Sequence, residues 1–210
     1  MLSIYPRQAG ISLVELMISM TLGLASLTAM ASLVGHGIAL NSQLLAKSRL
    51  DEEINAILAI VGHDVQRAGY HASTANMVDN PLTFNSAFYA QPIGLSEYPS
   101  ETVDSCITFA YDRNRNGLLD TVGTNEKYGY RLKNKAIEIR QGGLSCLASG
   151  WQDLSDPNVV LITDLSFSKE ALSNQQLSHV RIHIYLTAYL VRHPELSRSV
   201  RTSFRVKNYE

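Results

Sequence analysis

The sequence predicts an α+β protein in which one long N-terminal helix packs on an antiparallel β-sheet. Three observations predict it. Residues 11–46 hold a single formal charge, Glu15, in a run dominated by Leu, Ile, Met, Val and Ala. Beyond Lys47 apolar residues recur at three- and four-residue steps, as they do on one face of a helix. From Cys106 onward, segments that alternate apolar and polar residues dominate, the pattern of half-buried strands.

The helix is expected from about Ser12 to Gly69. Its first half, Ile11 to Val34, exceeds the roughly 20 apolar residues that a helix needs to cross a bilayer. A removable secretory signal is the plainer alternative, but its apolar core is only about 7–15 residues and ends at a small-residue cleavage site. This run instead passes into a continuing helical pattern. Its second half places Leu50, Ile54, Ile57, Leu58, Val61, Val65 and Ala68 on one face, while Asp51, Glu52, Asn55, His63 and Gln66 fall mostly elsewhere. Gly69 suits a helix stop, because glycine tolerates the left-handed conformation found there. Gly35 and Gly37 flank His36 and weaken the helix by about 1 kcal/mol each relative to Ala, which allows a bend. Arg7 precedes the span with no acid beside it, which favours a cytoplasmic N-terminus and an exported remainder.

Residues 71–105 read as an irregular connection punctuated by Pro81, Pro92 and Pro99. Strands are expected at 106–111, 128–132, 136–140, 159–168, 179–190 and 199–208, with the Lys133–Asn134–Lys135 stretch as a turn. In the fifth of these, Val180, Ile182, Ile184, Leu186 and Ala188 point one way. A sheet with one apolar face needs a cover, and the helix stripe supplies it. The two cysteines, Cys106 and Cys146, lie beyond the span. An even count in an exported domain favours one disulfide, against two buried thiols.

Net charge is −1, with no basic excess to suggest nucleic acid. Asp112 to Asp120, "DRNRNGLLD", matches the front of a calcium loop: oxygens at Asp112, Asn114 and Asn116, a sharp turn at Gly117, the Leu118 carbonyl and Asp120. The glutamate expected at the twelfth position is absent. Gly123 stands there, and Glu126 comes three residues later. The same residues suit an Asx-rich hairpin turn, for which Asn-Gly is favoured. Both readings stand, so Ca²⁺ is the one candidate cofactor. His179 and His183 are four apart in a strand pattern, a spacing that does not converge on a metal as it would on a helix. His36, His63, His71 and His193 are isolated. No G-x-S-x-G, no Cys–His context and no phosphate-binding glycine loop is present, so the reading is of a non-enzyme. A membrane-anchored enzyme or ligand-binding domain would need a convergent polar site within 71–210. The only candidate, Asp112–Asp120, has no nucleophile or base beside it.

The leader "MLSIYPRQAG" is short, contains Arg7 and ends in Gly10; "ISLVELMIS" follows at once, with Glu15 at its fifth position. Together these resemble the prepilin signal of the type IV pilin and type II secretion pseudopilin superfamily. Ile11 stands where that family usually has phenylalanine, and Ala9 where it has a basic residue. The resemblance implies cleavage between Gly10 and Ile11 by prepilin peptidase, N-methylation of Ile11, and a role for Glu15 in subunit register. There the new amine of one subunit meets the carboxylate of a neighbour in a low-dielectric bundle. The stretch "DEEINAILAIVGHDVQRAGYHAS" resembles the helix end of PilW-type minor pilins, with Glu52, Glu53, Asp64, Arg67, Ala68, Gly69 and Tyr70 as the matching residues. The last three strands are similar to those of that family and of pseudopilin J.

The resemblance divides the chain into a leader (1–10), a transmembrane and assembly half-helix (11–35), an amphipathic half-helix (36–70) and a β-rich pilin domain (71–210). It implies a minor pilin contributing to pilus assembly or initiation, held first as a single-pass inner-membrane protein with a periplasmic C-terminal domain and later in the extracellular pilus. Its partners would be the major pilin, other minor pilins, the prepilin peptidase and the inner-membrane assembly platform. A pseudopilin J-like subunit of a type II secretion system is the alternative; it differs in partners, not in the chemistry of Glu15.

Overall fold

The computed structural model describes residues 10–72, 93–123, 125–174 and 177–207. The leader up to Ala9 and most of the irregular connection, with Pro81 and Pro92, lie outside the described residues. The chain divides into two compact units, Met1–Leu45 and Ala46–Glu210.

Helix α1, Leu13–Arg67, runs through both. It continues without interruption past Gly35, His36 and Gly37. In the first unit its apolar side chains are exposed, from Leu13 at 75% to Leu45 at 64%, and by length and composition it can cross a membrane. Its hydroxyls bond their own helix: Ser19 Oγ donates to the Glu15 carbonyl (2.8 Å), Ser26 Oγ to that of Leu22 and Thr28 Oγ1 to that of Ala25 (both 2.9 Å). A hydroxyl satisfied in this way can face hydrocarbon at little cost.

In the second unit the predicted stripe is the buried face: Leu50, Ile54, Ile57, Leu58, Val61, Val65 and Ala68 all lie in the core. Where one sheet was expected, there are two. The first has five antiparallel strands in the order β1 (Gly94–Ser96), β2 (Cys106–Ala110), β3 (Lys127–Lys133), β4 (Ala136–Ile139) and β5 (Gln152–Asp153). The second is a three-stranded meander of β6 (Val160–Asn174), β7 (Leu177–Leu190) and β8 (His193–Val206). Strands β1 and β5 are too short to show a period in the sequence. The β3–β4 connection is the predicted turn, with Asn134 and Lys135 both left-handed (φ 51° and 63°), as a two-residue hairpin of this twist requires.

The two sheets meet along β6 without forming a ladder. Ile162 N–H donates to the Lys135 carbonyl and Phe167 N–H to that of Asp104, each at 2.9 Å. The apolar face of β7 is buried at Val180, Ile182, Ile184, Leu186 and Ala188, as its alternation predicts. One core joins the helix stripe to both sheets. Against β8 the helix approaches so closely that a Cβ on Gly62 would lie 2.2 Å from the Phe204 ring. Only glycine fits there.

Candidate functional site

Gly10, Ile11 and Ser12 precede the helix and are exposed, and Glu15 falls in the first turn. A carboxylate in that turn faces the positive end of the helix dipole, which offsets part of the cost of a charge in an apolar segment. Glu15 is the only Asp or Glu between Gly10 and Lys47.

At the other end of α1, the residues singled out by pattern lock the helix onto the first sheet. The Asp64 carboxylate accepts from Tyr130 Oη (2.6 Å) and Tyr111 Oη (3.1 Å). Burial first, with Asp64 adding to it, pushes both phenols well above the ordinary tyrosine range, so they stay protonated donors. The Arg67 guanidinium lies 4.3 Å over the Tyr111 ring. Gly69 is left-handed (φ 76°) and donates its N–H to the Ala110 carbonyl (2.8 Å). Asp112 N–H donates to the Tyr70 carbonyl at the same distance. Near the start of the domain's share of the helix, Asp51 pairs with Arg198 of β8, while Glu52 is exposed.

Cys106 and Cys146 are joined in a disulfide. Beside it Arg131 is fully buried. Its Nε meets Glu138 at 2.6 Å, and Nη1 donates to the carbonyls of Cys146 (2.5 Å) and Ala148 (2.8 Å). Its guanidinium lies 4.5 Å over Trp151 and 4.9 Å over Tyr98. A buried charge is tolerable only when paired and hydrogen-bonded, and this one fixes the 144–151 segment as a structural post. Sequence reading missed Arg131 and Glu138. Their only signal is a pair of opposite charges on facing positions of adjacent strands, visible once Arg131 and Glu138 are in register.

The Asp112–Asp120 loop is wider than a tight hairpin turn and is held by two fully buried carboxylates. Asp112 accepts from the N–H groups of Arg115 (2.5 Å), Gly117 (2.8 Å) and Ala72 (3.1 Å). Glu126, the residue placed too late for a calcium loop, accepts from Arg113 N–H (2.7 Å) and Asp120 N–H (3.0 Å). The Asn114 and Asn116 amides both donate to Asp120, while their Oδ1 atoms accept from the N–H groups of Asn116 and Leu118. The oxygens that would hold calcium are thus engaged within the loop. Among the described residues no three His, Cys, Asp or Glu side chains gather as a metal site. His183 pairs with Glu170 (3.0 Å) and His193 with Glu195 (3.1 Å), on separate parts of the second sheet. The side chain of His179 lies outside the described residues. His71 is buried, and burial lowers its pKa.

Comparison with known proteins gives matches at the N-terminus and over most of the rest of the chain. Residues 5–31 match the prokaryotic N-terminal methylation motif, and residues 43–206 match the family described as prepilin peptidase-dependent protein B. The chain is 24% identical over 172 residues to the prepilin peptidase-dependent protein B of Escherichia coli K12, covering 80% of this chain and 81% of that one. It is 26% identical over 161 residues to an uncharacterized protein of Haemophilus influenzae, covering 60% of this chain and 68% of that one. No solved structure matches. None of these matches carries the PilW name to which the helix end pointed. An apolar helix with a methylation motif, a domain whose helix stripe covers antiparallel sheets, and a family match over most of the length converge: the chain is type IV pilin-like and belongs to the prepilin peptidase-dependent protein B family.

Proposed function

We propose that the chain is a minor pilin that prepilin peptidase cuts between Gly10 and Ile11, that is methylated at Ile11, and that contributes through α1 to pilus assembly or initiation. The observation that supports this best is the composition of the first unit. An exposed apolar helix follows directly on a glycine, bonds its own hydroxyls, and keeps one carboxylate, Glu15, in its first turn. Residues 1–10 are then the leader, 11–35 the membrane and assembly half, 36–70 the amphipathic half and 71–210 the exported domain. The subunit waits in the inner membrane with its domain in the periplasm. It joins the major pilin and other minor pilins through the assembly platform. No catalytic role is assigned.

Mass spectrometry of the mature protein tests the processing: the expected terminus is N-methylated Ile11, and an intact Met1 would overturn the reading. Glu15→Ala should leave cleavage intact and impair assembly; normal incorporation of the variant would remove the pairing role of Glu15. Calcium at Asp112, Asn114, Asn116, Leu118 and Asp120 is a secondary reading, because binding must displace the Asn114 and Asn116 amides from Asp120. A rise in Tm of several degrees at millimolar calcium would support it, and an unchanged Tm would leave the loop as a plain turn.

A further inference from the structure

At the C-terminal end of α1 the domain has a cleft of about 470 Å³ lined by His63, Gln66, Arg67, Tyr70, Arg115 and Lys207. Three permanent cations line it, and among the described residues no carboxylate does. Each comes from a different element whose backbone or side chain is anchored nearby. Arg67 lies against the Tyr111 ring. Arg115 has a left-handed backbone (φ 65°) whose N–H is bound by the buried Asp112. Lys207 follows β8 and donates its N–H to the Gln66 carbonyl (3.2 Å). Asp64, 3.6 Å from His63, is engaged by the two tyrosines, and Asp112 by backbone N–H groups. Compensation of the helix dipole accounts for Arg67 at the helix end, but not for an exposed loop arginine and a lysine beyond β8 converging on the same space.

We propose that this cleft receives the carboxylates of a neighbouring protein subunit. Like-charged groups held together in a cleft raise the local potential and favour an anion. The loop that carries Arg115 favours a protein over a phosphate polymer. Three residues beyond Arg115 in the same loop, Leu118 is 66% exposed, and Val122 is 89% exposed. Apolar side chains beside a charged rim are the anatomy of a protein interface, in which the charges set register and partner choice. A nucleic-acid groove would instead need cations spread along a track with bases stacked on aromatics. The proposal rests on the assembly reading only for the identity of the neighbour as a pilin-like subunit.

The test uses the full chain in its native membrane, with Arg115→p-benzoylphenylalanine as a photo-crosslinker. The expected product joins the cleft to an Asp- or Glu-bearing peptide of a pilin-like subunit. Adding Lys207→Glu should lower its yield at least tenfold, and an Asp→Lys or Glu→Lys change in the captured peptide should restore it. Both cleft positions are exposed, and leader cleavage together with the Cys106–Cys146 bond reports that the variants fold. Crosslinks only to lipid or nucleic acid, no crosslink, or a yield indifferent to the charge reversal would overturn the proposal. Glu15→Ala measured in parallel separates the two claims. If assembly depends on Glu15 but not on the cleft charges, the cleft proposal alone fails.

Discussion

One helix, α1, lives in two environments. Between Leu13 and Leu45 its side chains are exposed and mostly apolar; between Ala46 and Arg67 one stripe is buried and the rest is wet. The backbone is the same in both, since every interior N–H finds its partner four residues back. What differs is where the side chains find theirs. The first half finds none among the described residues of its own unit, and it is long and apolar enough to cross a membrane. The second half has its partner in the two sheets. Helix formation and helix placement are therefore separate decisions: the first is local, and the second depends on how apolar residues are distributed around the axis.

Paired substitutions probe that difference. The largest effect is expected for Ile54→Asp, which puts an unpaired charge into a fully buried position. It should cost more than about 4 kcal/mol and unfold the domain, as read by proteolysis or thermal melting of the full chain in detergent. Leu24→Ala in the exposed half should leave the same melting curve unchanged; a drop of several degrees would mean that the halves are not energetically separate.

Next come two glycines. Gly62→Ala should destabilise the domain by about 1–3 kcal/mol, because its Cβ would collide with the Phe204 ring. Gly23→Ala meets nothing within 4 Å and should be neutral or raise helix stability by up to about 1 kcal/mol. Equal effects from the two would break the comparison.

A smaller contrast is between hydroxyls. Tyr130→Phe removes a 2.6 Å bond to Asp64 that ties helix to sheet, and should lower domain stability by about 1.5–3 kcal/mol. Ser19→Ala removes a bond that stays within the helix and should have no effect on the domain.

The smallest expected effect is a pH dependence confined to the domain. Burial lowers the pKa of His71 below 6.5, so the folded state prefers the neutral ring. The stability this gives is full above about pH 6.5 and is lost as pH falls from there towards the folded-state pKa. Tm should therefore decline with acidity across that window, and His71→Gln should flatten the slope. An unaltered slope would assign the decline to other groups.

How much of this was legible follows from the size of each signal. The stripe from Leu50 to Ala68 and the alternation of Val180 to Ala188 were readable, because each repeats a period over several turns or residues. The N-terminal methylation motif was readable because a glycine, a lone glutamate and a long apolar run coincide. Strands β1 and β5 were not, having three and two residues. Nor was the division into two sheets, which depends on β6 meeting the first sheet through isolated bonds to Lys135, in the β3–β4 turn, and Asp104, before β2. The charged residues misled most. Arg131 drew no reading at all, and Asp112 and Glu126 were considered only for a calcium loop, yet all three are fully buried and serve as local posts. Glu126 in particular looked like a misplaced calcium ligand, and it instead holds the loop by accepting backbone N–H groups.

The sequence by itself determined that there is a membrane-grade helix with one carboxylate near its start, an amphipathic continuation, and strands with one apolar face. These are properties of short-range periodicity and composition, which do not depend on what the chain touches. Only the tertiary structure decided that Asp64 binds two tyrosines, that Gly62 yields its space to Phe204, that Arg131 is buried beside the disulfide, and that Arg67, Arg115 and Lys207 converge on one cleft. Those contacts join residues tens of positions apart. Their partners are chosen by packing and electrostatics in the fold, where desolvation penalises a buried polar group without a mate, and no local pattern encodes that choice.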